Sequence, residues 1–164
     1  MKSIVGVVLN VCLLVGGCIS CSESPSDIQR RGARHYNAGE FSQAVACFRE
    51  AAEKGDAEGQ WKLGVCYADG KGVEKNATEA VKWYRKAAEQ GNAKAQLNLG
   101  MCYFSGTGIW KNARGAVKWL RKAAEQGSSR GQFFLGVCYF NGVGVKKNAR
   151  KALKLFRKAL VSCQ

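Results

Sequence analysis

The stretch from Leu63 to Gly91, LGVCYADGKGVEKNATEAVKWYRKAAEQG, is nearly written again from Leu99 to Gly127 as LGMCYFSGTGIWKNARGAVKWLRKAAEQG. A third version begins at Leu135. Leu63, Leu99 and Leu135 stand 36 residues apart, and the same interval separates Gly64, Gly100 and Gly136, then Tyr67, Tyr103 and Tyr139, then Ala80, Ala116 and Ala152. A fixed period of this length is the signature of a repeat protein in which each copy is one supersecondary unit.

Within a copy the spacing is helical. From Gly59 through Tyr67 apolar residues recur three or four apart, which predicts a first helix, A, with one packing face. Gly64 falls in its middle, at a cost of about 1 kcal/mol against alanine, and so predicts a neighbouring helix that crosses too closely to admit a Cβ. In the loop ADGKGVEKN, Gly70 and Gly72 can take positive φ and end helix A. Asn76 is placed to cap a second helix, B, which carries Ala80, Trp83, Tyr84 and Ala87 and stops at Gly91. Neither helix buries its apolar side alone, so copies must stack. The expected fold is all-α, a right-handed superhelical solenoid of antiparallel helix pairs over residues 28–163, with units at about 28–54, 57–91, 93–127 and 129–162. The first unit, GARHYNAGEFSQAVACFREAAEKG, keeps Tyr36, Gly39, Ala44, Phe48 and Ala51 but lacks the long glycine-rich loop.

The longer units resemble SLR (Sel-one-like) repeats, through the Leu-Gly, Tyr, Gly-x-Gly-Val, Ala and Lys-Ala-Ala-x-x-Gly positions that 57–91, 93–127 and 129–162 meet almost fully. Residues 32–54 look more like the related tetratricopeptide repeat, with its short turn between helices. Three departures stand out: Ile109 where Val73 and Val145 stand, Leu155 in place of the tryptophan of Trp83 and Trp119, and no final solvating helix after the last unit. The resemblance implies a non-enzymatic scaffold for protein–protein interaction, in bacteria often exported and tied to envelope assembly, signalling or host contact. It also implies that the A helices line the concave side. That places Trp61, Val65, Leu97, Met101, Phe104, Phe133, Val137 and Phe140 along a partner-binding groove. The competing reading is that the curvature of a small solenoid buries these side chains against one another.

The first seventeen residues, MKSIVGVVLNVCLLVGG, differ from the rest: one lysine, an apolar run, then small residues. This is the layout of an export signal, too short for a confident membrane span. Val15-Gly16-Gly17-Cys18 resembles the bacterial lipobox, which implies cleavage before Cys18, acylation of its sulfur and a polar tether over residues 18–27. A plain secretory signal is the alternative. The expected location is therefore the bacterial envelope, outer membrane or periplasm, or the secreted fraction, with membrane attachment through lipid at Cys18.

The formal charge is +14. Lys82, Arg85 and Lys86 recur at the same 36-residue interval as Lys118, Arg121 and Lys122 and as Lys154, Arg157 and Lys158, which predicts a basic ridge on the outer face. Either it is a solvated surface, or it holds anionic lipid or polymer, which would make the protein a structural envelope component. No nucleic-acid module accompanies the charge, so no nucleic-acid partner is expected. His35 is the single histidine, and no spaced Ser/His/Asp set or phosphate loop occurs. The expectation is no catalytic residue, no cofactor and no metal. A β-lactam hydrolase reading survives only through the cysteine-rich SLR proteins, whose second cysteine per repeat is missing here, with Ala88 and Ala124 in the KAAE segments. The ladder of Cys66, Cys102 and Cys138 is one thiol per copy, and equivalent helices of adjacent repeats stand about 9–10 Å apart, beyond the ~7 Å Cα limit for a bridge. These thiols read as core filler, with a Cys47–Cys66 pairing left open.

Overall fold

In a computed structural model, residues 23–161 are described; the signal segment, Cys18 and most of the tether lie outside them. Eight helices follow in order among the described residues: α1 (Pro25–Asn37), α2 (Phe41–Glu53), α3 (Ala57–Asp69), α4 (Ala77–Glu89), α5 (Ala93–Ser105), α6 (Ala113–Glu125), α7 (Ser129–Asn141) and α8 (Ala149–Val161). Odd-numbered helices are the A helices and even-numbered ones the B helices. Each helix packs on its predecessor and its successor, and α1 also touches α3. The chain is an all-α solenoid of paired antiparallel helices, quasi-one-dimensional in its contacts.

The helix boundaries follow local chemistry. Asn76, Asn112 and Asn148 accept backbone N–H bonds from Glu79 (3.0 Å), Gly115 (2.9 Å) and Lys151 (2.9 Å), so the B helices α4, α6 and α8 open on an asparagine cap. Asp56, Asn92 and Ser128 do the same for α3, α5 and α7. Gly70, Gly106 and Gly142 close those A helices in the left-handed conformation. The first helix starts earlier than expected: residues 25–27, read as tether, are helical. Ser24 Oγ accepts from the Asp27 N–H at 3.2 Å, and Pro25 sits in the first turn, where no N–H is needed.

The mid-helix glycines explain how closely A and B cross. An ideal Cβ on Gly64 would stand 2.7 Å from the Tyr84 ring and 3.2 Å from the Ala80 carbonyl oxygen. The same construction on Gly100 meets Leu120 at 2.9 Å, and on Gly136 meets Phe156 at 2.6 Å. The helical cost of glycine is offset by packing that no larger residue permits. The second loop glycines work between units. Gly72, Gly108 and Gly144, all at positive φ, sit against the carbonyl groups of Phe41, Ala77 and Ala113, so each long loop seats on the first turn of the preceding B helix.

Stacking is also fixed by buried glutamines that the sequence reading passed over, although they recur at 36. The side-chain amides of Gln60, Gln96 and Gln132 donate to the carbonyls of Ala52 (3.1 Å), Ala88 (3.2 Å) and Ala124 (3.3 Å) on the preceding B helix. Gln90 and Gln126 in turn donate to the side-chain oxygens of Gln60 and Gln96, both at 2.8 Å. A buried amide at each of these junctions holds the register, because a slipped helix would strand its donor. Gln60 and Gln96 are satisfied at both ends, while the Gln132 side-chain oxygen is buried without a partner among the described residues. Around these pairs Phe48, Leu63, Leu99 and Leu120 are fully enclosed.

Candidate protein-binding surface

Trp61, Leu97 and Phe133 occupy one register on α3, α5 and α7, with Val65, Met101 and Val137 a turn further on. The row is not uniform. Leu97 is only 7% exposed and packs with Val117, Leu120 and Leu135. It lies beneath the surface, and the expectation that it lines the groove is corrected. Its branched chain completes the core between α5, α6 and α7. Met101, Phe104 and Val137 are half-buried. Phe133 and Phe140 are 48% and 53% exposed. Phe133 rests against Phe134 and Phe156, each with ring centroids 5.5 Å away, leaving its outer side open.

At the other end of the row, Trp61 and Val65 line a cleft of about 140 Å³ with Tyr36, Phe48 and Lys62. The Lys94 ammonium lies 4.5 Å from the Trp61 ring centroid while bonding Glu58 at 3.0 Å. Trp61 Nε1 is buried without a hydrogen-bond partner among the described residues. The face thus has an apolar notch at α3, a closed stretch at Leu97 and an open aromatic patch on α7.

The basic ridge is exposed, but part of its charge is engaged between repeats. The guanidinium groups of Arg49, Arg85 and Arg121 donate to the hydroxyls of Tyr67 (3.0 Å), Tyr103 (3.0 Å) and Tyr139 (3.2 Å) on the following A helix. Lys86 and Lys122 lie over the rings of Trp83 (4.3 Å) and Trp119 (4.7 Å). The arginine at this register is a stacking residue as well as a surface charge.

The thiols are filler. Cys47, Cys66, Cys102 and Cys138 are all free. The Cys47–Cys66 pairing is not formed, because Cys47 faces the cluster of Ile28 and Ala51 while Cys66 packs with Phe48 and Leu63. Burial pushes the Cys66 thiol up to about 11, with Asp69 adding to the effect, and burial raises Cys102 and Cys138 as well. A free thiol ionises near ~8.5. Above that pH the unfolded chain loses protons that the folded chain keeps, so stability falls as pH rises. The window for Cys66 runs from roughly 8.5 to about 11, and its share by pH 10 is about 2 kcal/mol. Urea melts at pH 7.5 and pH 10 should show this loss, and Cys66→Ala should reduce it, leaving the part due to Cys102 and Cys138; an unchanged slope in the variant would contradict the assignment.

Among the described residues no group of three or more His, Cys, Asp and Glu side chains is arranged to hold a metal. None of their helices is long and apolar enough to cross a membrane.

Helix pairs stacked in register, with an open face on the A helices, define a tetratricopeptide-like repeat solenoid. The chain belongs to the Sel1 repeat family, whose pattern matches residues 40–56, 57–92, 93–128 and 129–160. The structure of a Sel1 repeat protein from Oxalobacter formigenes superposes with a TM-score of 0.79 at 43% identity, covering 83% of this chain and 54% of that one. A protective antigen present in uropathogenic Escherichia coli strains, displaying an SLR fold, gives 0.83 at 37% identity, covering 87% of this chain and 32% of its own. HcpC of Helicobacter pylori, named as a candidate beta-lactamase, is 35% identical over 75 residues, which are 46% of this chain and 26% of HcpC. The chain spans about a quarter of the length of the curated relatives it matches.

Proposed function

We propose that the protein is a non-enzymatic scaffold of the bacterial envelope that holds a peptide or helix of a protein partner against its A-helix face. The observation that carries this reading is the open aromatic patch on α7, where Phe133 and Phe140 keep about half their surface in solvent. No A helix follows α7 among the described residues to cover these rings as α7 covers Leu97, and exposed aromatics of this kind are the usual anchors of peptide recognition. The proposed contact row is Trp61, Val65, Met101, Phe104, Phe133, Val137 and Phe140, with Leu97 supporting it from below. The test is binding of an isolated partner to Trp61→Ala/Phe133→Ala; unchanged affinity would reject the face.

The apolar segment 1–17 and Val15–Cys18 support export and a lipid on Cys18, and the likeness to a bacterial protective antigen agrees with an envelope or secreted location. Mass spectrometry of the mature amino terminus from membrane fractions should find a diacyl or triacyl group on Cys18. An unacylated terminus would reject the anchor. The second reading, a structural component holding anionic polymer through the outer face, is favoured by the +14 charge. Three of the basic residues of that side are tied to Tyr67, Tyr103 and Tyr139, which leaves it the weaker of the two. Nothing among the described residues supports the β-lactam hydrolase alternative beyond the likeness to HcpC.

A further inference from the structure

Helix α8 departs from its sister helices on the side where they receive the next unit. Val45, Val81 and Val117 are at most 5% exposed beneath the following A helix, while Leu153, at the same register, is 52% exposed. Ala52, Ala88 and Ala124 are likewise buried, but their counterpart is Leu160, 73% exposed. Glu53, Glu89 and Glu125 give way to Val161, 72% exposed. At all three positions α8 is larger or more apolar than its sister helices. Arg150, Lys154 and Arg157 flank the same surface. Helix α8 carries five basic residues and no acidic one.

Three occupants fit poorly. A further A helix in the regular register needs an alanine at position 160. In the preceding junction Ala124, at the same register, is buried in the cluster with Leu97 and Leu135, and leucine in its place overfills the contact. A second copy meeting tail to tail would bring two sets of Arg150, Lys154 and Arg157 together. A copy meeting head to tail would set the leucines against the charged surface formed by Glu23 and by Asp27, Arg30 and Arg34 of α1.

We propose that the outer face of α8 is a second docking surface, and that it takes an acidic amphipathic helix of a protein partner. Its apolar stripe packs on Leu153, Leu160 and Val161, and its flanking carboxylates meet Arg150, Lys154 and Arg157. The surface is separate from the A-helix face and does not depend on it.

The test uses the full chain and a synthetic 18-residue helical peptide with leucines on one stripe and glutamates beside it, compared with a twin carrying lysine for each glutamate. Fluorescence anisotropy should show binding of the acidic peptide, weakening with salt, and at least tenfold tighter than that of the twin. Leu153→Asp/Leu160→Asp should lose at least tenfold; both side chains are exposed, and an unchanged melting curve verifies that the variant folds. Arg150→Glu/Arg157→Glu should reverse the preference between the two peptides. Trp61→Ala/Phe133→Ala should change binding less than twofold, which separates failure of this surface from failure of the A-helix face. Equal binding of the two peptides, full binding by the Leu153/Leu160 variant, or loss in the Trp61/Phe133 variant would overturn the proposal. A concentration-dependent dimer abolished by Leu153→Asp/Leu160→Asp would also overturn it, in favour of a second copy.

Discussion

Replacing Gly108 by alanine is expected to destabilise the solenoid by about 2–5 kcal/mol. Two costs combine at this residue. Its φ of +68° lies in the left-handed region, where a Cβ costs about 1–2 kcal/mol. That Cβ would also be driven into the Ala77 carbonyl at the first turn of α4, which is backbone and cannot rotate away; overpacking of this kind costs about 1–3 kcal/mol. Gly127 is the internal control. It has a φ of +86° and no atom within 4 Å of an added Cβ, so Gly127→Ala pays only the conformational part, about 1–2 kcal/mol. Thermal or urea melts of the two variants separate the contributions. Equal losses would show that the loop does not seat on the preceding unit. The difference matters beyond stability, because these seats join consecutive repeats and hold the A-helix face in one shape.

Phe133→Ala is expected to weaken partner binding by about 2 kcal/mol, roughly 30-fold, as truncation of an aromatic anchor does. Its ring leans on Phe134 and Phe156 with half its surface open, so the variant should stay folded with a modest loss of stability. Leu97 is the contrast at the same register: it is enclosed by Val117, Leu120 and Leu135, and its truncation acts through the core. Binding by the folded fraction of Leu97→Ala should therefore change little. If Leu97→Ala and Phe133→Ala weakened binding of folded protein alike, the division of the row into an open patch and a closed stretch would be wrong.

The 36-residue period made most of the fold readable, because each copy repeats the same caps, crossing glycines and core positions, and a pattern seen three times constrains every element at once. Gly64 showed the close crossing, and Asn76 showed where α4 begins. The start of α1 was hidden because Ser24 and Pro25 occur in a polar segment with no repeat to compare. The surface was less legible for a physical reason. Trp61, Leu97 and Phe133 share a register, but register fixes only the direction of a side chain, and exposure depends on the size of its neighbours on adjacent helices. The Arg–Tyr bonds have a sequence signal, an interval of 18 residues from Arg49 to Tyr67, from Arg85 to Tyr103 and from Arg121 to Tyr139. That interval crosses from one unit to the next and is invisible when each copy is read alone. The departures at Leu160 and Val161 gain meaning only once Ala124 is seen buried beneath α7.

Site-specific photocrosslinking in bacteria expressing the full chain tests the central claim most directly, with the photoreactive residue placed in turn at Phe133, Phe140, Arg114 and Lys118. The account predicts one discrete protein adduct from Phe133 and Phe140 and none from Arg114 or Lys118 on the B helices, with the adduct lost when Trp61→Ala is added. Adducts of the same partner from Arg114 and Lys118, with none from Phe133 and Phe140, would contradict it and move the binding surface to the basic outer face.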